Sequence, residues 1–248
     1  MRNIELIIEY DGTRYAGWEK SQKNTKDASV SEKIEEVLFK MEDAPVILTG
    51  AVRIESGAHA LRQVANFKTE SKKSVLEIKQ YLRRYLPMDI AVVEALEVPE
   101  RFHAAFNAKQ FTFEYHISIG EVPSVFERRY RYYCFKKPDV AKMKEAAKAF
   151  IGTHDFKAFS DNPRMKKSTE RTIKALDIYS DETEILITVT GDDFWPNMVR
   201  NIVGLILSCG LSETDCGKVP ELIESKDRNL IPQAPEPKGL FLAEVEYE

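Results

Sequence analysis

The 248-residue chain has only three cysteines and four histidines. Cys134, Cys209 and Cys216 are odd in number and have no C-x-x-C spacing, which argues against a disulfide framework and against a zinc site. His59, His103, His116 and His154 are scattered without ligand spacing, so no metal is expected. No run approaches a membrane span, because the most apolar stretch, residues 198–207, already contains Arg200 and Asn201. Positive charge is not in excess either: the net charge is -4 and the pI near 5.8. That excludes a protein coated in basic residues but not a nucleic-acid binder, since attraction depends on where basic residues cluster. No linker rich in Pro, Gly or Ser divides the chain. With 43% hydrophobic and 31% charged residues it reads as a soluble globular protein with a sizeable core. The first ten residues alternate like a strand and do not read as a signal peptide, so the cytoplasm is the expected compartment.

What is present begins with residues 48–60, Leu-Thr-Gly-Ala-Val-Arg-Ile-Glu-Ser-Gly-Ala-His-Ala. Apolar runs flank an arginine, a carboxylate, a glycine and a histidine that a buried strand would not tolerate. Arg53 and Glu55 lie two apart, so in an extended segment they leave the same face. Gly57 lets the chain turn without a Cβ penalty. Taken alone, the window fits an ordinary surface ion pair better than an active site.

Around it the periodicities alternate between strand and helix. Ile4, Leu6 and Ile8 mark a strand ending at the Asp11-Gly12 turn. The loop 14–20 mixes Arg14, Tyr15, Trp18 and Lys20, a composition suited equally to stacking on bases and to packing over a core. Ser29 or Ser31 caps a helix with Val30, Ile34, Val37, Leu38 and Met41 on one face. A strand over 45–48 leads into the central window and resumes over 63–68. A helix from Ser74 stops before Pro87, and a strand covers 90–98. The second half repeats the plan. Phe111, Phe113, Tyr115 and Ile117 alternate along a strand, Asp139 caps a helix closed by Gly152, and a hairpin joins 172–178 to 184–190. A helix follows over 197–208, and Leu240, Leu242 and Val245 make a last strand. His154 and Asp155 are expected to brace the turn after Gly152, and Asp192 and Asp193 to be turn residues. The expected fold is α+β: two ferredoxin-like (RRM-like) halves, 1–104 and 105–248, sharing a continuous, mostly antiparallel sheet with helices on one side and an RNA-binding cleft between the halves.

Several segments together resemble the tRNA pseudouridine synthase A family. They are residues 10–18 (Tyr-Asp-Gly-Thr-Arg-Tyr-Ala-Gly-Trp), the frame Gly50-Ala-x-Arg-x-x-x-Gly-x-His-Ala60, Leu86-Pro-x-Asp-Ile90 and Phe102-His-Ala104. Gly152-Thr-His-Asp-Phe-x-Ala-Phe159, Arg171-Thr-Ile173, Asn197-Met-Val-Arg-Asn-Ile-Val-Gly204 and Gly239-Leu240 continue the series in the family's order. The resemblance implies a homodimeric, cofactor-free enzyme that isomerises uridine to pseudouridine in the anticodon arm of tRNA. By position, Glu55 falls where the family has its catalytic aspartate, and Arg200 on the arginine that pairs with it. Arg53 falls on the arginine that helps displace the target nucleotide, Phe113 on a tyrosine that stacks on the uracil, and His59 is placed with the substrate-binding set. Arg14, Trp18, Lys20, Arg62 and Lys109 are candidate RNA contacts.

The sequence departs from the family at the site. Glu55 adds a methylene to the expected aspartate, Ile54 replaces threonine, Val52 replaces glycine, and Phe113 lacks the tyrosine hydroxyl. Ala105, Thr112 and Glu114 stand where arginine is expected. Two readings remain open: an RNA-modifying enzyme in which Glu55 does the work of aspartate, or a catalytically silent relative that binds RNA or a protein partner.

Overall fold

A computed structural model describes residues 1–19, 26–161 and 168–247. In chain order the strands are β1 (Arg2–Tyr10), β2 (Thr49–Gly50), β3 (His59–Thr69), β4 (Ile90–Val98), β5 (Gln110–Ser118), β6 (Tyr132–Tyr133), β7 (Gly152–Asp155), β8 (Glu170–Ser180), β9 (Glu184–Gly191) and β10 (Leu240–Glu246). The helices are α1 (Val30–Glu42), α2 (Val75–Tyr85), α3 (Ala104–Asn107), α4 (Val140–Lys148), α5 (Met198–Gly210) and α6 (Val219–Glu224). They form two compact α+β units, Met1–Lys109 with Leu242–Glu248, and Gln110–Phe241. A division at 104/105 leaves β10 with the second half, whereas most of that strand belongs to the first unit.

In the first unit the strand order is β4-β1-β3-β10, with β2 added to β3. β1 is antiparallel to both β3 and β4. As an inner strand it buries Ile4, Leu6 and Ile8 and also Ile7, which explains its imperfect alternation. α1 and α2 both start on a capping box: Ser29 with Glu32, and Ser74 with Glu77. Val30, Ile34, Val37 and Leu38 of α1, and Ile78 and Leu82 of α2, face the core. Residues 45–48, expected as a strand, are not one. Pro45 has no amide to give, and the Leu48 amide donates at 2.9 Å to Glu35 on α1 instead of to a neighbouring strand. Only Thr49 and Gly50 pair with β3.

In the second unit the order is β5-β9-β8-β7, with antiparallel pairing throughout. β6 adds a two-residue parallel pairing to β5. Phe111, Phe113, Tyr115 and Ile117 alternate inward as expected, and all are buried. The β8–β9 turn is closed by Asp181, whose Oδ1 accepts from the Thr183 and Glu184 amides at 2.7 and 2.8 Å. α5 is buried on nearly every side, and its one buried amide side chain, Asn201, donates to the Phe159 carbonyl at 2.8 Å. Asp155 caps the turn after β7 through the Lys157 amide and pairs with Lys226 at 2.7 Å, the bracing role expected of it. β7 itself was not foreseen. Asp192 accepts from the Thr172 amide at 2.9 Å in the turn after β9. No described helix is long and apolar enough to cross a membrane.

Candidate active site

The segment that carries Arg53 and Glu55 connects β2 to β3 in the first unit. Little of it is regular, yet it is fastened along its length. The Ala51 amide donates to the Val64 carbonyl at 2.8 Å, and Gln63 Nε2 donates to the Val52 carbonyl at 2.8 Å. The Trp18 amide donates to the Ile54 carbonyl at 2.9 Å, and Ser56 Oγ to the Tyr15 carbonyl at 3.0 Å. The Ala58 amide closes the turn onto the Glu55 carbonyl at 3.2 Å. That turn takes Gly57 to φ +79, the left-handed backbone its glycine was expected to supply. At the far end, the Gly12 amide donates to His59 Nδ1 at 3.1 Å. Gly12 lies so close that a Cβ there would sit 1.7 Å from the Ala58 carbonyl oxygen, so only glycine fits.

Ile54 is buried beneath the loop, while Arg53 is exposed and Glu55 half-buried, so both charged residues lie on the outer side as their spacing predicts. The ion pair of Arg53 is made with Glu19, at 3.0 Å from Nε, across 34 positions of sequence. The expected local pairing of Arg53 with Glu55 is thus replaced by a long-range one. A half-buried carboxylate on a pinned loop, beside an exposed guanidinium, can act as a nucleophile or as a base.

Two expected contacts are overturned by burial. His59 is 1% exposed and serves as the acceptor for Gly12, so its ring is not presented to a substrate. Trp18 is 0% exposed and stacks on Tyr10 at 6.2 Å, so it packs in the core and offers no face to RNA. Tyr15 is buried too, and its hydroxyl donates to Asp89 at 2.6 Å. Burial, with Asp89 second, pushes the phenol up to about 12 and keeps it a neutral donor. Arg14 is exposed and paired with the same Asp89. Arg62 and Lys109 are exposed, and Lys20 lies outside the described residues.

The remaining two candidates belong to the second unit. Arg200 is half-buried on the first turn of α5, where Nη1 donates to the Pro235 carbonyl at 2.8 Å and Nη2 to Asn197 Oδ1 at 2.6 Å. Phe113 is 4% exposed on β5 and meets Phe194 edge-on at 5.3 Å. The alternation that places it with Phe111 and Tyr115 also turns it inward. Gln63 and Ser56 were not singled out by sequence reasoning, and Gly12 was read only as a turn residue. Gln63 was the most findable, as an amide beside Val64 and Ala65 at the start of the strand expected over 63–68. Among the described residues no cluster of His, Cys, Asp and Glu is arranged to hold a metal ion.

Comparison with known proteins identifies the family. A family profile described as tRNA pseudouridine synthase matches residues 6–107 and 146–248. A Bacillus cereus protein named tRNA pseudouridine synthase A 2 is 40% identical over 247 residues, covering 100% of both chains. Proteins named tRNA pseudouridine synthase A from Clostridium kluyveri and Acetivibrio thermocellus are each 39% identical, again over 100% of both chains. With the match spanning both units, the chain belongs to the tRNA pseudouridine synthase family.

Proposed function

We propose that this protein isomerises uridine to pseudouridine in the anticodon arm of tRNA, with Glu55 as the carboxylate that acts at the ribose. The observation that carries the reading is the pinned loop. Glu55 sits at the tip of a segment whose backbone is tied to the neighbouring loop on both sides of it. Such preorganisation is what a reacting carboxylate needs, since a misplacement of roughly 1 Å can cost about a hundredfold in rate.

The reaction breaks the N1–C1′ bond, turns the freed uracil and forms a C5–C1′ bond, with the C5 proton lost and N1 gaining one. Nothing is added or removed overall, so no redox partner is required. The target nucleotide must leave its stack for the carboxylate to reach the sugar. Arg53, exposed and engaged in a surface pair with Glu19, is the side chain of the first unit suited to occupy the vacated space. Glu55 reaches one methylene further than an aspartate would from the same pinned backbone, and the site is assigned to a glutamate on that geometry. Arg200 is assigned to catalysis and the exposed Arg14, Arg62 and Lys109 to phosphate contacts. The working form is a cytoplasmic homodimer without a cofactor.

The test is pseudouridine mapping at single-nucleotide resolution after incubation with unmodified tRNA transcripts. Native protein should give product, Glu55→Ala should reduce the rate by at least about a hundredfold, and Glu55→Asp should fall in between. Absence of product from native protein, with tRNA still bound, would establish the silent relative instead.

A further inference from the structure

Residues 126–137 concentrate positive charge in a chain whose acidic residues outnumber its basic ones. They hold five basic side chains (Arg128, Arg129, Arg131, Lys136, Lys137) against one acidic, Glu127, in a protein of net charge -4. Aromatic residues are interleaved with them. Phe126 and Phe135 are each 90% exposed, and Val122 and Val125 beside them are exposed as well. Exposed apolar side chains grouped in this way mark an interaction surface.

The surface is built in two layers. Arg131 is framework: it pairs with Glu127 at 3.0 Å and with Glu184 at 3.2 Å. Tyr133 donates its hydroxyl to the Gly120 and Glu121 carbonyls at 3.1 Å and meets the Phe135 ring edge-on at 4.8 Å. Phe135 is thereby steadied without being covered. Outside this framework stand Arg128, Arg129, Lys136 and Lys137, all exposed. A cavity of about 470 Å³ opens between Arg128, Tyr132, Phe135 and Lys238.

We propose that this segment is an RNA-binding surface separate from the Glu55 loop, gripping the tRNA backbone with its basic side chains and stacking unpaired bases on Phe126 and Phe135. It rests on the reading of tRNA as the substrate. Local positive charge matches a polyanion, and exposed rings match bases, whose stacking does not depend on sequence.

The test uses full-length protein and an unmodified tRNA transcript, with affinity measured by fluorescence anisotropy across a range of salt concentrations. Arg128→Gln with Arg129→Gln should weaken binding and make the log K against log salt slope shallower by roughly 2. Phe126→Ala with Phe135→Ala should weaken binding about tenfold or more and leave the slope unchanged. Lys144→Gln with Lys148→Gln, exposed changes on α4, controls for the loss of two charges and should do neither. Thermal melting checks that all variants fold, as expected for substitutions at exposed positions. If native protein binds and modifies tRNA while both double variants keep its affinity and slope, the surface assignment is overturned and the catalytic reading stands. If native protein does not bind tRNA, both fall. Variants that bind tRNA normally but sediment at a lower mass would reassign the patch to self-association and overturn the RNA role.

Discussion

The backbone amide of Gly12 donates to Nδ1 of His59 at 3.1 Å, joining the end of the first strand to the start of the third. The donor fixes the tautomer: Nδ1 offers its lone pair, and the neutral ring carries its proton on Nε2. Asp11 Oδ1 lies 3.3 Å from the same nitrogen but faces the Thr13 amide and hydroxyl, which leaves Gly12 as the donor. The contact closes the loop bearing Glu55 at its C-terminal end.

His59→Ala therefore leaves a buried amide without an acceptor, at a cost of about 1–3 kcal/mol. A lowered urea midpoint should accompany a more than tenfold loss of pseudouridine formation, because the loop beside it is no longer held. His59→Asn, whose Oδ1 can stand near the position of Nδ1, should recover part of both. Native stability with activity lost would return His59 to the substrate.

Arg53 and Glu19 form an exposed pair, with side chains 74% and 39% accessible. Pairs of this kind contribute about 0.2–1 kcal/mol. Arg53→Ala should shift the melting temperature little while reducing pseudouridine formation at least tenfold, a split that separates a role at the nucleotide from one in folding. Glu19→Ala should show a smaller activity loss, since it releases Arg53 without removing it.

Much of this architecture is legible in the sequence because its causes are local. Ser29 and Ser74 stand three residues before a glutamate, and the helices begin there. The β5 pattern and the β8–β9 hairpin follow from alternation and an Asp-Glu-Thr turn. What was hidden depends on distant partners. Glu19 takes Arg53 from 34 positions away, Glu35 takes the Leu48 amide from a would-be strand, and β10 joins the unit made by the first hundred residues. Loop aromatics were the least readable, since nothing local distinguishes the covered Trp18 from the exposed Phe126 and Phe135.

The burial of Trp18 gives a direct check on its reassignment. The indole lies over Gly50, where a Cβ would come within 2.1 Å of Nε1, and among the described residues that Nε1 has no hydrogen-bond partner. Trp18→Ala should cost about 3–5 kcal/mol by opening a cavity. Trp18→Phe should cost far less, because it removes an unsatisfied donor along with part of the ring. In urea unfolding the two should separate clearly, and the tRNA affinity of Trp18→Phe should equal that of native protein. A selective loss of affinity would restore the indole to the RNA surface.

The pH dependence of stability should carry the mark of His116. Burial alone would lower its pKa, but the Glu114 and Glu184 carboxylates, at 3.4 and 2.6 Å, outweigh burial and hold the imidazolium above the usual histidine range. Arg131 shares Glu184 at 3.2 Å, and the Phe241 ring covers another side at 5.0 Å. A raised native value means that the stabilisation is fully present below the unfolded pKa, about 6.5, and is lost as pH rises through the native one. Urea midpoints should therefore fall between pH 6 and pH 9 more steeply for native protein than for His116→Gln. Parallel curves for the two proteins would show that the carboxylates do not hold the proton.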